Sequence, residues 1–221
     1  MLQVEVVRND NRHFHENLLE EQFRVRREVF VDELGWKELN VYDGREIDQF
    51  DQASTVYLIV VDEGRVIGGC RLHPTLGPTL LSEIFPDLAD VRGFERRTDI
   101  WEMTRGFVIR ARREERPMRA SGAWKAAALE YCLVEGIRSF NGVGETWMVP
   151  GLLRMGWQTS FLGLPRDQNG FSLVALNTLV TLDALATTLV HYDLPRPITR
   201  WRGLSDEQNR AERLHALPIV A

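Results

Sequence analysis

Two charged residues lie inside a segment whose other residues have the pattern of a buried strand. The segment covers residues 100–110, and it contains Glu102 and Arg105 between apolar neighbours. An ionised side chain in a buried strand is costly unless it is paired with an opposite charge or used in chemistry. These two residues are therefore candidates for a functional site. A purely structural ion pair is the alternative, because structural networks also hold buried charges.

Charged and aromatic residues upstream suit a ligand that carries both signs of charge. The set consists of Arg26, Phe30, Trp36, Asp48, Asp51 and Arg71. Its aspartates supply negative charge for a cationic group, whereas its arginines, together with Arg105, match a carboxylate. Its aromatic faces attract an ammonium or sulfonium group. Each member also has an ordinary interpretation, such as packing of Trp36 on its own helix or capping of the loop by the aspartates.

The spacing of apolar residues predicts the elements that must hold this set in place. Strands are predicted at residues 2–7, 56–61, 66–72, 100–110, 141–149 and 170–176, and helices at 14–33, 79–89, 122–136, 152–155 and 181–191. A capping-box pattern at 205–208 predicts a last short helix, and Gly68-Gly69 inside a strand indicates a bulge or a close approach of another backbone. Residues 37–52 are polar and turn-rich, and loops of that length are usually functional. This order of elements predicts one α/β domain over residues 1–221.

The composition argues against several classes of protein. The chain has 221 residues and a net charge of -5, so general binding of nucleic acid is not expected. Its histidines show no metal-binding spacing, and no metal site is predicted. Cys70 and Cys132 have apolar neighbours, and the apolar runs are too short to cross a membrane. We therefore expect a soluble cytoplasmic protein with no membrane partner.

Basic residues are concentrated in one stretch of this acidic chain. The basic residues of this stretch that could dock a phosphate group or a carrier protein are Arg110, Arg112, Arg113, Arg119 and Lys125. Such a patch is most often a solvated face, but it also suits phosphate groups or an acidic partner protein.

Several separated motifs resemble those of one enzyme family. They are Arg26-x-x-x-Phe30, Leu34-Gly-Trp36, Glu46-x-Asp48-x-x-Asp51, Arg71-Leu-x-Pro-Thr75, Pro78-x-Leu-Leu, Phe85 and Trp101-Glu102-x-Thr-Arg105-x-Phe-Val. Their order and spacing resemble those of the acyl-homoserine lactone synthases, the LuxI-type autoinducer synthases, most densely over residues 20–110. The resemblance implies a three-layer α-β-α sandwich with a mixed, mostly antiparallel sheet, related to the GNAT acetyltransferases.

The resemblance also implies a reaction between two substrates, with no cofactor. In this family the α-amine of S-adenosyl-methionine attacks an acyl thioester and forms an amide. The methionyl carboxylate then displaces the sulfonium, which closes a lactone and releases methylthioadenosine. The acyl group arrives on acyl carrier protein or on coenzyme A, and the basic patch suits both donors because both are anionic.

The matched positions imply roles for individual residues. Arg26, Phe30, Trp36, Asp48, Arg71 and Phe107 are expected to bind S-adenosyl-methionine, and Glu102, Arg105, Asp48, Asp51 and Arg71 to support catalysis. Glu102 is the candidate base for the amine, and Arg105 is expected to pair with a carboxylate of the acidic loop. Backbone N–H groups at a strand bulge after Phe107 are expected to bind the oxyanion.

The acyl pocket is expected where the chain departs from its relatives. Its expected lining is Trp101, Met103, Thr104, Thr146, Trp147 and Met148, which favours a short, branched or aromatic acyl group; ordinary core packing is the alternative. Gly106 stands where many relatives have an aromatic residue, and this change is expected to enlarge or soften the wall.

Two other functions compete with this interpretation. A GNAT-type N-acyltransferase for another amine usually has a glycine-rich pyrophosphate loop that opens a helix, and residues 110–117 lack one. A non-catalytic ligand-sensing module is the second alternative, and release of methylthioadenosine would exclude it.

Overall fold

A mixed β-sheet forms the central layer of the protein. The computed structural model describes residues 2–115 and 118–218. Its strands are β1 (Gln3–Val7), β2 (Val41–Tyr42), β3 (Arg45–Glu46), β4 (Val56–Asp62), β5 (Arg65–Pro74), β6 (Ile100–Val108), β7 (Ser139–Glu145), β8 (Thr159–Phe161), β9 (Arg166–Gln168), β10 (Phe171–Leu179) and β11 (Thr199–Arg200). Among the described residues, nine strands form one sheet in the order β11-β1-β4-β5-β6-β7-β10-β8, with β9 beside β10, while β2 and β3 form a separate hairpin. The β1–β11 and β6–β7 pairs are parallel and the others are antiparallel, which confirms the predicted sheet.

Helices cover both faces of this sheet. They are α1 (Glu16–Arg26), α2 (Leu80–Glu83), α3 (Arg110–Arg113), α4 (Arg119–Glu135), α5 (Val149–Arg154), α6 (Leu182–His191) and α7 (Glu207–Ala216). One apolar cluster joins α4 and α6 to the first face of the sheet, and a second joins α1 to the opposite face. The three-layer α-β-α sandwich is therefore confirmed.

Strand β4 shows how the sequence specifies two covered faces. Val56, Leu58 and Val60 belong to the cluster under α4, whereas Tyr57 and Ile59 belong to the cluster under α1. Successive side chains of a strand point to opposite faces. An uninterrupted apolar run is therefore what a strand between two helical layers requires.

Some predicted elements differ in extent from the observed ones. The helix predicted at 14–33 is an α-helix only in α1 and continues as a π-helix over Arg27–Glu33. The segment 79–89 divides into α2 and a 3-10 turn at Pro86–Ala89, because proline has no N–H to continue the helix. The strand predicted at 141–149 ends at Glu145, where a 3-10 turn, Thr146–Met148, leads into α5.

The last short helix predicted from residues 205–208 is confirmed as α7, but the capping box itself is not formed. Helix α7 starts one residue later, with Asp206 as its N-cap and no capping hydrogen bond from a side chain. The sequence does not predict five of the strands, β2, β3, β8, β9 and β11, because two or three residues are too few to show an alternating pattern. None of the helices in the described part of the chain has the length and apolar character of a membrane span.

The two cysteines lie in the cluster under α4. Cys70 and Cys132 are buried and unpaired as a disulfide, and burial raises the pKa of both thiols. Because the thiolate is the reactive form, we expect neither cysteine of the folded protein to react with iodoacetamide at neutral pH, and both to react in urea. Mass spectrometry of the labelled protein measures this, and rapid labelling without urea would contradict the burial.

Candidate active site

Six charged side chains from five segments form a closed ring on the α1 side of the sheet. They are Arg26 from α1, Glu46 from β3, Asp48 and Asp51 from the following loop, Arg71 from β5 and Arg105 from β6, and we call them the charge ring. Each arginine contacts two carboxylates and each carboxylate contacts two arginines. The side-chain exposures lie between 0% and 8%. The ring is buried and has no net formal charge.

Two of the contacts in the charge ring are bidentate. Arg26 Nη1 and Nη2 lie 2.8 Å and 3.0 Å from the oxygens of Asp51, and Arg71 Nη1 and Nη2 lie 2.5 Å and 3.1 Å from those of Asp48. Arg105 Nη2 bridges Glu46 Oε1 at 3.0 Å and Asp48 Oδ2 at 2.7 Å. Bidentate pairs of this kind fix geometry as well as adding energy. The expected pairing of Arg105 with the acidic loop is confirmed.

The loop carrying the aspartates folds around its own carboxylates. The backbone N–H of Asp48 donates to Asp51 Oδ2 at 2.9 Å, and that of Phe50 donates to Asp48 Oδ1 at 2.9 Å. The hydroxyl of Tyr57 on β4 donates to Asp51 Oδ1 at 3.0 Å. Local bonds of this type are a common reason for Asp in turns. Here they also aim both carboxylates at the arginines.

A bulge in β6 turns two consecutive side chains towards the charge ring. Thr104 Oγ1 accepts a hydrogen bond from Arg71 Nε at 3.0 Å, and the next residue, Arg105, contacts Glu46 and Asp48. Neighbours in a regular strand point to opposite faces, but Arg105 has a φ of 53° and the β5–β6 register shifts beside it. Such a backbone costs about 1–3 kcal/mol in a residue other than glycine. The bulge therefore lies at Arg105 and Gly106, and not after Phe107 as predicted.

Burial and charge act against each other in the charge ring. Burial alone would raise the pKa of Asp51, but Arg26 and Arg71 outweigh this effect and hold that pKa below its usual range. Burial alone would likewise lower the pKa of Arg26, but Asp51 and Glu46 raise it. The members of these pairs therefore stay ionised at neutral pH.

Aromatic rings border the charge ring. The rings of Phe30 and Trp36 stack with centroids 5.1 Å apart, and Phe107 meets Phe30 edge to face at 6.1 Å. The guanidinium carbon of Arg105 lies 5.7 Å from the centre of the Phe30 ring. Phe30, Trp36 and Phe107, the predicted aromatic residues, are thus brought together beside the charges.

Glu102 faces the same side of the sheet, next to the charge ring. It precedes Thr104 by two residues on β6, and its two oxygens accept the backbone N–H groups of Leu80 and Leu81, each at 2.8 Å. Burial raises the pKa of Glu102 above its usual range, and these backbone bonds, which favour the ionised form, only partly offset the effect. A fixed carboxylate with a raised pKa suits proton transfer near neutral pH.

The sheet opens into a wedge beside Glu102. Strands β6 and β7 are paired at three positions, the last of which joins Glu102 to Asn141. Beyond it, no ladder pair joins the two strands within the described residues, although β6 continues to Val108 and β7 to Glu145. A wedge between parallel strands leaves backbone N–H groups available to a ligand. It therefore offers a binding position between the two faces of the sheet.

The expected acyl-pocket residues do not lie together. Thr104 faces the charge ring, whereas Met103 and Trp101 pack on the cluster under α4, because neighbouring strand residues alternate. The side chain of Trp147 is 71% exposed and cannot form a pocket floor. Four of the six predicted residues, Trp101, Met103, Thr104 and Trp147, therefore do not share one face, and an acyl pocket lined by the full set with Thr146 and Met148 stays a prediction. The space beside Gly106 is not enlarged either, since Trp124 of α4 lies 3.0 Å from the position a Cβ would take there.

The predicted basic patch is only partly a surface patch. Lys125 is buried in α4, where it donates to Ser121 and packs on the rings of Trp124 and Tyr192, and burial lowers its pKa to about 8. Arg112 pairs with Asp62 and Glu115, Arg113 with Glu33, and Arg119 with Asp193, while Arg110 is exposed. Lys125 is therefore excluded from docking, and the arginines present less unbalanced charge than the sequence suggested. Residues 116 and 117 of this region lie outside the described residues.

Sequence reasoning gave no role to Glu46. Its carboxylate is completely buried, and it joins Arg26 to Arg105, which are distant in sequence. The available signal was its place two residues before Asp48 in the acidic cluster. Side chains two apart in an extended segment share a face, so Glu46 and Asp48 were candidates for one shared set of arginine partners.

Comparisons of this chain with family models, curated proteins and solved structures all find autoinducer synthases. Residues 10–184 match the family model for autoinducer synthases. The isovaleryl-homoserine lactone synthase of Bradyrhizobium diazoefficiens is 40% identical over 198 residues, which cover 84% of this chain and 87% of that protein. A solved structure of BjaI, a CoA-dependent acyl-homoserine lactone synthase, with SAM and isopentyl-CoA has a TM-score of 0.87 at 34% identity, covering 97% of this chain and 99% of that one. A structure of an acyl-CoA N-acyltransferase from Pseudomonas aeruginosa is similar in fold alone, with a TM-score of 0.57 at 14% identity over 80% of this chain and 99% of that one.

Proposed function

Because this chain belongs to the autoinducer synthase family and is an acyl-homoserine-lactone synthase, we propose that it transfers a short branched acyl group from coenzyme A to S-adenosyl-methionine. The products are an acyl-homoserine lactone, free coenzyme A and methylthioadenosine. The charge ring is the observation that carries the proposal, because it offers both signs of charge at one place beside aromatic rings.

S-adenosyl-methionine matches the charge ring in sign. Its sulfonium and ammonium are attracted by Asp48, Asp51 and the faces of Phe30 and Trp36, and its carboxylate by Arg71 and Arg105. The substrate carries two positive groups and one carboxylate, so it requires groups of both signs in its lining. Arg26 supports this lining by holding Glu46 and Asp51 in place.

The first chemical step joins the amine to the acyl carbon. The ammonium must lose a proton before its nitrogen can attack, and Glu102 is the carboxylate that assists this loss. The thioester lies in the wedge between β6 and β7, where backbone N–H groups near the bulge stabilise the oxyanion. The nitrogen then loses a second proton to water, the C–S bond breaks, and the thiol leaves with a proton. Much of the rate comes from holding the two reactants side by side.

The second step closes the lactone. The carboxylate attacks the γ-carbon, the bond from that carbon to sulfur breaks, and neutral methylthioadenosine leaves. Displacement requires the carboxylate behind the γ-carbon. Arg71 and Arg105 hold it there, and the stack of Phe30 and Trp36 holds the sulfonium end.

Two observations support the donor and the acyl group. The similar proteins include an isovaleryl-homoserine lactone synthase and a structure with isopentyl-CoA. In this chain, the indole of Trp124 fills the space beside Gly106 on the wedge, which shortens the room for an acyl chain. Delivery by acyl carrier protein is the alternative, and the arginines at 110–113 suit either anionic donor.

Paired kinetics with matched donors test this proposal. We expect kcat/KM for isovaleryl-CoA to exceed that for isovaleryl-acyl carrier protein and that for dodecanoyl-CoA by at least about 10-fold each. Lactone and methylthioadenosine are measured by mass spectrometry. Equal or better use of the carrier protein would contradict the donor, equal use of dodecanoyl-CoA would contradict the short pocket, and no methylthioadenosine with any acyl thioester would contradict the function itself.

A further inference from the structure

His73 is a buried histidine beside Glu102 that the reaction steps above do not use. It lies on β5 two residues after Arg71, and it is 2% exposed. In the β5–β6 ladder, Arg71 is opposite Thr104 and His73 is opposite Glu102. Residues directly opposite on antiparallel strands share a face, with Cβ atoms about 4.5–5.5 Å apart. His73 therefore lies next to Glu102 on the face that holds the charge ring.

One hydrogen bond fixes the protonated nitrogen of the His73 ring. Its Nε2 lies 2.6 Å from the carbonyl oxygen of Pro78. A carbonyl oxygen only accepts, so Nε2 carries the hydrogen and donates it. In the neutral ring, the lone pair is then on Nδ1. The tautomer of His73 is thus set by the segment that leads into α2.

Nδ1 of His73 is a buried acceptor without a donor. It is enclosed, and it has no hydrogen-bond partner among the described residues. Buried polar atoms in proteins nearly always have a partner, either in the protein, in water or in a ligand. The substrate ammonium, or a water bound to it, is a donor that the proposed reaction brings to this face.

Two charged groups and one aromatic ring lie around His73. Glu102 faces it from β6, and the ring of Phe50 from the acidic loop meets it edge to face at 6.2 Å. Arg71 on its own strand is a positive neighbour, but Asp48 and Asp51 already neutralise that guanidinium. Glu102 is thus the nearby charge with the sign that stabilises an imidazolium.

We propose that His73 and Glu102 act as a pair, in which Nδ1 of His73 accepts the proton of the substrate amine and Glu102 stabilises the resulting imidazolium. An N–H bond of the ammonium breaks, an Nδ1–H bond forms, and the freed nitrogen attacks the thioester. After the attack the nitrogen carries a positive charge, so a second N–H bond breaks and that proton passes to water. When the C–S bond breaks, the imidazolium returns the first proton to the leaving sulfur, so the amide and the ring end neutral and coenzyme A leaves as a thiol. This inference rests on the proposed function and adds the group that carries the proton from the substrate nitrogen to the leaving sulfur.

The substitution His73→Gln separates this role from a structural one. The glutamine amide can still donate to the Pro78 carbonyl from near the position of Nε2, but it cannot accept a proton. We expect kcat with S-adenosyl-methionine and isovaleryl-CoA to fall about 100-fold, with the KM for S-adenosyl-methionine changing less than about 3-fold, since the charge ring is intact. Release of coenzyme A is followed with a thiol reagent, and circular dichroism checks the fold.

The pH profile supplies the readout that a structural role would not move. In the wild type, kcat/KM should rise with pH through the ionisations of the His73–Glu102 pair, whereas H73Q should keep the ionisation of Glu102 and lose the other. A folded H73Q with wild-type kcat and the same profile overturns the pairing while leaving lactone synthesis by the wild type intact. If H73Q fails to fold, the same profile is measured for His73→Asn, with the same expected loss. If the wild type makes no lactone, the proposed function fails first.

Discussion

Replacing Glu46 by glutamine is expected to lower the free energy of unfolding by about 3–5 kcal/mol. The carboxylate of Glu46 is fully buried and binds both Arg26 and Arg105, at 2.5 Å and 3.0 Å. The amide removes the negative charge and leaves two buried guanidinium groups undercompensated. Removing one partner from a buried ionic set is costly for this reason, whether or not the whole set is stabilising. A loss of this size is a large part of the stability of an ordinary domain.

Urea unfolding of E46Q and of a matched control measures this effect. The control is Asp32→Asn, which breaks the pair between Arg27 and Asp32, two side chains that are 41% and 44% exposed. Exposed pairs contribute about 1 kcal/mol or less, so the control should unfold near the wild-type midpoint. Equal midpoints for the wild type and E46Q, at an unchanged m-value, would show that the charge ring is not a stabilising unit.

Replacing Glu102 by glutamine is expected to reduce kcat about 10³-fold, within the range for loss of a proton-transfer group. The amide neither accepts a proton nor stabilises a cation beside it. It also lacks a second acceptor, so one of the N–H groups of Leu80 and Leu81 loses its partner. Steady-state release of methylthioadenosine at saturating substrates measures the change.

Glu83→Gln is the control for the Glu102 variant. Glu83 is on α2, the helix that Glu102 binds, but its side chain is 47% exposed and outside the site, so we expect the wild-type rate. Affinity for methylthioadenosine should be similar in all three proteins, because the charge ring and the aromatic stack are unchanged. A rate for E102Q within a few-fold of the wild type would remove Glu102 from the proton path.

The sheet and the polar site were predictable to different degrees, for physical reasons. Strand β4 and helix α4 have long apolar patterns. Segments that are this apolar must be covered on all sides, which leaves few alternative positions for them in the fold. Glu102 and Arg105 were predictable because charge inside an apolar strand is rare, whereas the roles of Arg26, Asp48, Asp51 and Arg71 depended on the resemblance to the family. Roles that depend on side-chain direction were not found. The bulge at Arg105 changes which side chains of β6 face the site. Met103 and Thr104 are neighbours in a regular part of the strand, so their side chains point to opposite faces of the sheet.

The burial or exposure of some individual residues was also not predictable from the sequence. Lys125 belongs to a basic stretch, yet it points into the layer between α4 and α6, where the rings of Trp124 and Tyr192 cover it. Tryptophan is usually buried, yet Trp147 lies on a 3-10 turn and its side chain is exposed to solvent. Composition gives the average burial of a residue type, whereas the packing of two distant helices decided these cases.

The alternation of signs around the charge ring has an evolutionary consequence. Loss of any one member leaves both neighbours with half of their partners, so a single substitution is penalised twice, at two places far apart in the chain. Single substitutions at these six positions should therefore be selected against, and only combinations of substitutions that compensate each other should be accepted. The arrangement would make this corner of the enzyme slow to diverge, even while the neighbouring wedge is free to adapt to new acyl groups.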